Sequence, residues 1–182
     1  MNIVVLLAAG ESSRTSGMKQ LYRVDNQYLI NKQIKILKSY GYDVAVVLGH
    51  NSEKIFPIID EDVRVVLNEN YKEGMFSSVK TAFKMLNADR LIFCHIDRPI
   101  VDKELFEALI NSKDSITTAY YNGKKAPPIM IKSSMKEELL TSTHKRLDHW
   151  IQSTNRASHI CVNDERVHFN ANTDEELRRY FG

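Results

Sequence analysis

A chain of 182 residues, 43% hydrophobic and 26% charged, with seven Gly and four Pro, can bury about two-thirds of its unfolded surface in one core. Its composition is that of neither a disordered tail nor a linker. The formal charge of +2 comes from Lys and Arg scattered among Asp and Glu, which gives no electrostatic footprint for a nucleic-acid duplex or a membrane.

Asn2 to Ala8 is a continuous apolar run, the pattern of a parallel strand buried on both faces. No basic region precedes it, and Glu11 and Arg14 follow, so neither a signal peptide nor a membrane span is expected. The expectation is one cytoplasmic domain covering 1–182. Leu29, Ile30, Gln33, Ile34 and Leu37 then fall on one helical face, with Gly41 as a left-handed stop. Strand-like Val44 to Leu48 and Val63 to Leu67 come next, then a helix over Ser77 to Leu86 and a strand over Arg90 to His95. A helix over Val101 to Ile110 is expected, with Asp102 as its N-cap.

After Asn111 the pattern changes: Ser115 to Tyr121 and Pro128 to Ile131 read as strands around a Tyr-Asn-Gly turn. Met135 to Leu140 and His144 to Gln152 look helical, and Ser158 to Val162 and Val167 to Phe169 look like strands. A final helix spans Thr173 to Tyr180, where Thr173 and Glu176 have the spacing of a capping box. The alternation predicts an α/β fold with a mixed, mostly parallel sheet and an antiparallel later portion. Cys94 and Cys161 sit in apolar runs without zinc-type spacing and are expected to be reduced, buried strand cysteines.

Three segments carry chemistry. The first follows strand one: Leu7-Ala8-Ala9-Gly10-Glu11-Ser12-Ser13-Arg14, then Met18-Lys19. Small residues let a ligand approach the backbone, amides and the hydroxyls of Ser12 and Ser13 can meet phosphate oxygens, and Arg14 and Lys19 add cations. Open α/β sheets bind ligands beyond the carboxyl ends of their strands, where this loop lies. The segment is neither a P-loop nor a dinucleotide fingerprint, and taken alone it also reads as an ordinary loop. In the second, Asn68 to Ser78, a helix opens behind Gly74 with Ser77 and Ser78 beside its first amides, a site for an anion or a base edge, or a simple cap. The third, Ile96-Asp97-Arg98-Pro99, sets a carboxylate just after a buried strand. Mg²⁺ takes one or two such ligands together with substrate oxygens, although an Asp before a Pro also caps turns.

Taken in order, these segments resemble the MobA-like NTP transferases. The match rests on Leu7-Ala8-Ala9-Gly10-x-Ser12-x-Arg14 with Lys19 five residues on, the spacing Asn68, Tyr71, Gly74, Ser78, and Asp97-x-Pro99. The closing Asn170-Ala171-Asn172-Thr173-Asp174-Glu175-Glu176-Leu177 adds a fourth motif.

The resemblance implies a Rossmann-like three-layer nucleotidyltransferase fold. Leu7, Ala8, Ala9, Gly10, Ser12, Lys19, Asn68, Gly74, Ser77 and Ser78 would surround the nucleotide. Arg14, Lys19 and Asp97 would be the catalytic groups, and Asp97, with Asn170 or Asn172, would hold Mg²⁺. The implied reaction moves a nucleoside monophosphate from an NTP, CTP or GTP, to a phosphorylated acceptor such as molybdopterin. The Ala8-Ala9-Gly10 form is similar to the cytidylyltransferase branch. A sugar-phosphate or phosphoalcohol cytidylyltransferase, a guanylyltransferase and a non-catalytic nucleotide-binding protein are the alternatives.

The chain departs from the family's pattern in several places. Ser16 and Asp174 replace a Gly and a Pro, Ala126-Pro127 replaces a Gly-His on the acceptor side, and no Gly-Asp pair occurs near Thr141 to Arg146. His95 stands where the family carries a small residue, and reads as a core histidine, a base contact or a tuning group.

Overall fold

The computed structural model describes residues 1–12, 14–59 and 62–182; the Ser13 hydroxyl named above lies outside them. The elements in chain order are β1 (Asn2–Leu7), β2 (Arg23–Val24), β3 (Gln27–Tyr28), α1 (Leu29–Ser39), β4 (Asp43–Leu48), α2 (Ser52–Ile55), β5 (Arg64–Leu67), α3 (Met75–Met85), β6 (Arg90–His95), α4 (Lys103–Asn111), β7 (Ile116–Tyr121), β8 (Lys124–Lys132), α5 (Lys136–Thr141), α6 (Leu147–Thr154), β9 (Ala157–Cys161) and α7 (Asp174–Phe181).

Seven strands form one sheet in the order β5-β4-β1-β6-β8-β7-β9. The pairs β1–β4, β1–β6, β4–β5 and β7–β9 are parallel, whereas β8 runs antiparallel to both of its neighbours. The antiparallel later portion expected from sequence is thus a single reversed strand. The turn at Asn122 and Gly123, with φ of 45° and 80°, makes that reversal; positive φ at both central residues is the hairpin geometry that Asn-Gly favours.

Alternation along β1 sorts the core into two layers. Val4 and Leu6 pack with α1, α4 and α7, while Ile3, Val5 and Leu7 pack with α3, α5 and α6. A strand with both faces covered must be apolar throughout, which is why the first residues read as an unbroken run. No helix among the described residues is long and apolar enough to cross a membrane.

Some sequence expectations are corrected. Val167 to Phe169 is not a strand. Glu165–His168 is a short 3-10 turn in which the Asp164 carboxylate accepts from the Arg166 amide and guanidinium. A local side chain to backbone bond offers the segment a turn in place of a sheet ladder. Asp102 sits at the N-cap of α4, but its carboxylate takes Arg166 at 3.0 Å and makes no capping bond. The helix expected from His144 begins at Leu147. Cys161 is exposed at the end of β9, whereas Cys94 is buried, and burial pushes its thiol up. The Thr173/Glu176 capping box is present with both reciprocal bonds.

Candidate active site

The strand order reverses at β1: β4 and β5 extend one way, β6 the other. The loops leaving the carboxyl ends of β1 and β6 border a crevice there, the position where open α/β sheets bind ligands. Leu7 pairs with His95 in register at this edge, and the chain turns beyond each of them. A cavity of about 220 Å³ occupies the crevice, lined by Leu7, Ala9, Gly10, Ser12, Lys19 and Asp97 together with Gly74, Ser78, His95 and others.

The Lys19 ammonium lies 3.1 Å from the Asp97 carboxylate, its side chain only 9% exposed. Bringing a lysine this deep costs solvation, which a paired charge offsets. The partners come from segments 78 residues apart. Lys19 opens a short 3-10 turn whose position is fixed from below, because Gln20 donates to the Ala8 carbonyl at 2.6 Å and Ser12 Oγ accepts from the Lys19 amide at 3.2 Å. Ser12 adopts φ of 54°, a left-handed conformation that tightens the loop around its own carbonyl, which accepts from Thr15.

The second wall is the amino end of α3. Gly74, with φ of 95°, enters the helix in a backbone conformation that residues bearing a side chain rarely adopt, and the first-turn amides of α3 make this helix terminus favour negative charge. Ser78 lines the cavity. Asn68 does not: it is buried, its amide donates to the hydroxyls of Ser77 and Ser78 at 2.8 and 2.9 Å, and its carbonyl accepts from the Asn70 amide and Thr81. Ser77 likewise donates to the carbonyls of Asn70 and Gly74. Both residues hold the helix start in shape rather than facing the cavity. Replacing Asn68 with Ala strands buried polar groups, so Asn68→Ala is expected to cost about 2 kcal/mol of stability, read as a lowered denaturant midpoint; an unchanged midpoint would remove Asn68 from this framework.

The closing segment reaches the same edge. The Ala171 amide donates to the Asp97 carbonyl at 2.8 Å, and Arg98 donates to the carbonyls of Val167 and Phe169. Arg14 points away from the cavity to Asn172 Oδ1, 2.8 Å away, while the Ser16 amide donates to the Asp174 carboxylate. Asn170 Oδ1 is buried with no hydrogen-bond partner among the described residues. No cluster of three or more His, Cys, Asp or Glu suited to a metal occurs among the described residues.

Sequence reasoning did not assign Gln20 or Met75 to the site, used Tyr71 only as part of a motif spacing and left the role of His95 open. Gln20 and Tyr71 contribute to the crevice, and Met75 and His95 belong to it and to a second cavity of about 540 Å³. Burial pushes the His95 imidazole down to about 4; Asp97 opposes that shift and Arg98 adds to it. The ring makes no side-chain hydrogen bond among the described residues. Its position at the last residue of β6, in register with Leu7, was the available signal.

The sequence profile of the MobA-like NTP transferase domain matches residues 4–159. The chain belongs to this family. The family is one of nucleotidyltransferases, and the matched residues include the crevice loop, the α3 entrance and Asp97. Among curated relatives, the bifunctional protein GlmU of Thermosipho melanesiensis is 32% identical over 108 residues. That match covers 58% of this chain and 24% of GlmU, so the chain spans about a quarter of this relative's length. A probable molybdenum cofactor guanylyltransferase of Methanothermobacter thermautotrophicus is 26% identical, with 98% of each chain covered. The molybdenum cofactor cytidylyltransferase of Escherichia coli is 21% identical, over 70% of this chain and 68% of that protein.

The fold recurs in a nucleotidyl transferase structure from Methanothermobacter thermautotrophicus, with a TM-score of 0.85 at 18% identity and 100% and 96% of the two chains covered. It recurs also in a manganese complex from Mycobacterium tuberculosis, with a TM-score of 0.81 at 19% identity and 99% and 97% covered. The three-layer nucleotidyltransferase architecture is therefore established.

Proposed function

We propose that this domain transfers a nucleoside monophosphate, CMP in the leading reading, from an NTP to a phosphorylated acceptor such as molybdopterin, with release of pyrophosphate and dependence on Mg²⁺. The observation that carries the reading is the Lys19–Asp97 pair, a cation and a hard anionic ligand on the wall of a crevice beyond the β1 and β6 ends. Phosphoryl and nucleotidyl transfer need positioning and charge neutralisation more than a covalent nucleophile.

The residues present fit a magnesium ion. Asp97 offers the carboxylate, and the unpartnered Oδ1 of Asn170 on the neighbouring closing segment offers a second oxygen; Mg²⁺ commonly takes few protein ligands and fills its shell with water and phosphate oxygens. When bound, the ion supplies charge neutralisation at those oxygens. In this reading Lys19 offsets charge building on the departing pyrophosphate, the α3 amides and Ser78 hold ribose or base, and Arg14 leaves Asn172 to meet the triphosphate. Asn172, whose Oδ1 is freed when Arg14 moves, and Asn170 are the two candidates for the second oxygen ligand.

Titration calorimetry with Mg²⁺ tests the base preference. CTP is expected to bind at least about tenfold tighter than GTP, because polar groups arranged for cytosine lose partners against guanine at roughly 1–3 kcal/mol each. Tighter GTP binding would move the assignment to the guanylyltransferase branch. Equal affinity for all four NTPs, with no pyrophosphate released in the presence of phosphorylated acceptors, would leave a nucleotide-binding protein without turnover.

A further inference from the structure

The second cavity lies on the α3–α6 face of the sheet and shares Gly74, Met75 and His95 with the nucleotide crevice. An acceptor bound there would meet the nucleotide across that shared wall. Its chemistry is uneven. The floor is apolar, built from Phe76, Ile129, Leu147 and Ile151.

Apart from His95, Thr118 is the one uncharged side chain in the described lining that can hydrogen-bond, and its buried Oγ1 has no partner among the described residues. The rim carries charge: Arg98, Lys125 and Lys145 line it without an ion pair among the described residues, whereas Arg146 is neutralised by Asp148 in a two-pronged bond of 3.0 and 2.8 Å. Glu73 is the remaining carboxylate.

We infer that this cavity selects a phosphomonoester with a flat or apolar carbon skeleton, its phosphate toward His95 and Arg98, its apolar face on the floor and its polar groups confined to the charged rim or to Thr118. The inference rests on the nucleotidyltransferase reading and narrows its acceptor. A sugar phosphate would set several hydroxyls against Phe76, Ile129 and Ile151, away from the charged groups of the rim and with Thr118 alone among the floor's side chains to meet them, and each unpaired group weakens binding. An aromatic or aliphatic skeleton gains from the same surface in proportion to the area it covers. The volume of about 540 Å³ suits a ring system, since small-molecule sites run from about 300 to 1,000 Å³.

The test is an NMR-detected titration of the full chain with 1-naphthyl phosphate and, separately, glucose 1-phosphate. The naphthyl ester is expected to bind at least about tenfold tighter, with shifts at Thr118 and Ile129. Met75 is exposed and lines the cavity, so Met75→Ser keeps the fold and should erode that preference, while Lys145→Glu weakens both esters. Thr118→Val should tighten the naphthyl ester a few-fold, because that ring offers the hydroxyl nothing. Glucose 1-phosphate binding as tightly, neither ester binding, or a naphthyl affinity indifferent to Met75→Ser and Thr118→Val would each overturn the inference. Pyrophosphate release from CTP is read apart from these titrations. Turnover that favours a sugar phosphate would sink the acceptor class and leave nucleotide transfer standing, and absent turnover with every acceptor would sink the transfer reading itself.

Discussion

Asp97→Asn is expected to fold as the parent does and to lose about 10³-fold in kcat, equivalent to about 4 kcal/mol of transition-state stabilisation. The amide keeps the shape of the carboxylate, and its oxygen can still accept from the Lys19 ammonium that Asp97 holds at 3.1 Å. Thermal denaturation should therefore move by a few degrees at most. An amide oxygen carries no net charge, however, and is a much poorer ligand for a small hard cation that sheds water reluctantly. The loss should be partly recovered at high metal concentration, and Mn²⁺ should rescue better than Mg²⁺ because it accepts neutral ligands more readily. Pyrophosphate release measured across a metal titration separates these outcomes. Near-parental turnover at ordinary metal concentration would take Asp97 out of the mechanism.

Lys19→Ala is expected to lower kcat about 10²-fold while changing CTP affinity only several-fold. Charge on the leaving pyrophosphate grows as the reaction proceeds, so a fixed cation beside it stabilises the transition state more than the bound substrate. The Lys19 side chain is pinned before any ligand arrives, by its own amide on Ser12 and by the Asp97 pair. That preorganisation removes most of the cost of placing it at the moment of reaction. Steady-state kinetics with varied CTP would show the split; a rise in KM with kcat intact would mean that Lys19 contributes to binding alone.

Much of the frame was legible in the chain because its signals are local. Unbroken apolar runs marked β1, β4 and β6, since a strand covered on both faces tolerates few polar residues. Gly41, the Asn122–Gly123 turn and the Thr173/Glu176 box marked ends and reversals through backbone demands that few other residues meet. What was not legible rests on side-chain pairings that no motif announces, one local and one distant. The turn at Glu165–His168 forms around the Asp164–Arg166 pair, while its apolar Val167 alone suggested a strand. Asp102 has the right residue type for a cap and serves Arg166 in its place, 64 residues away.

The site divides in the same way. Residues on the loop and at the end of β6 were visible as motifs, and Lys19 and Asp97 do meet in the crevice. Asn68 and Ser77 carried the right spacing, yet spacing does not say which way a side chain points, and both turn inward to hold the entrance of α3. Gln20 escaped notice because it belongs to no motif, and His95 was singled out but left open between a core, base-contact and tuning role; both line the crevice.

The loop that carries Arg14 and Ser16 is stitched to the far end of the chain, Arg14 to Asn172 and the Ser16 amide to Asp174. Ser16 and Asp174 are both departures from the family's usual Gly and Pro, and they meet each other: a proline at 174 could offer no carboxylate. These two bonds tie the loop that follows β1 to the segment that opens α7. Arg14 and Ser16 are thereby anchored at the amino end of α7, not along its length, so a shift of that helix start would carry both residues with it, whereas a change at the helix's last turn would leave the two bonds untouched.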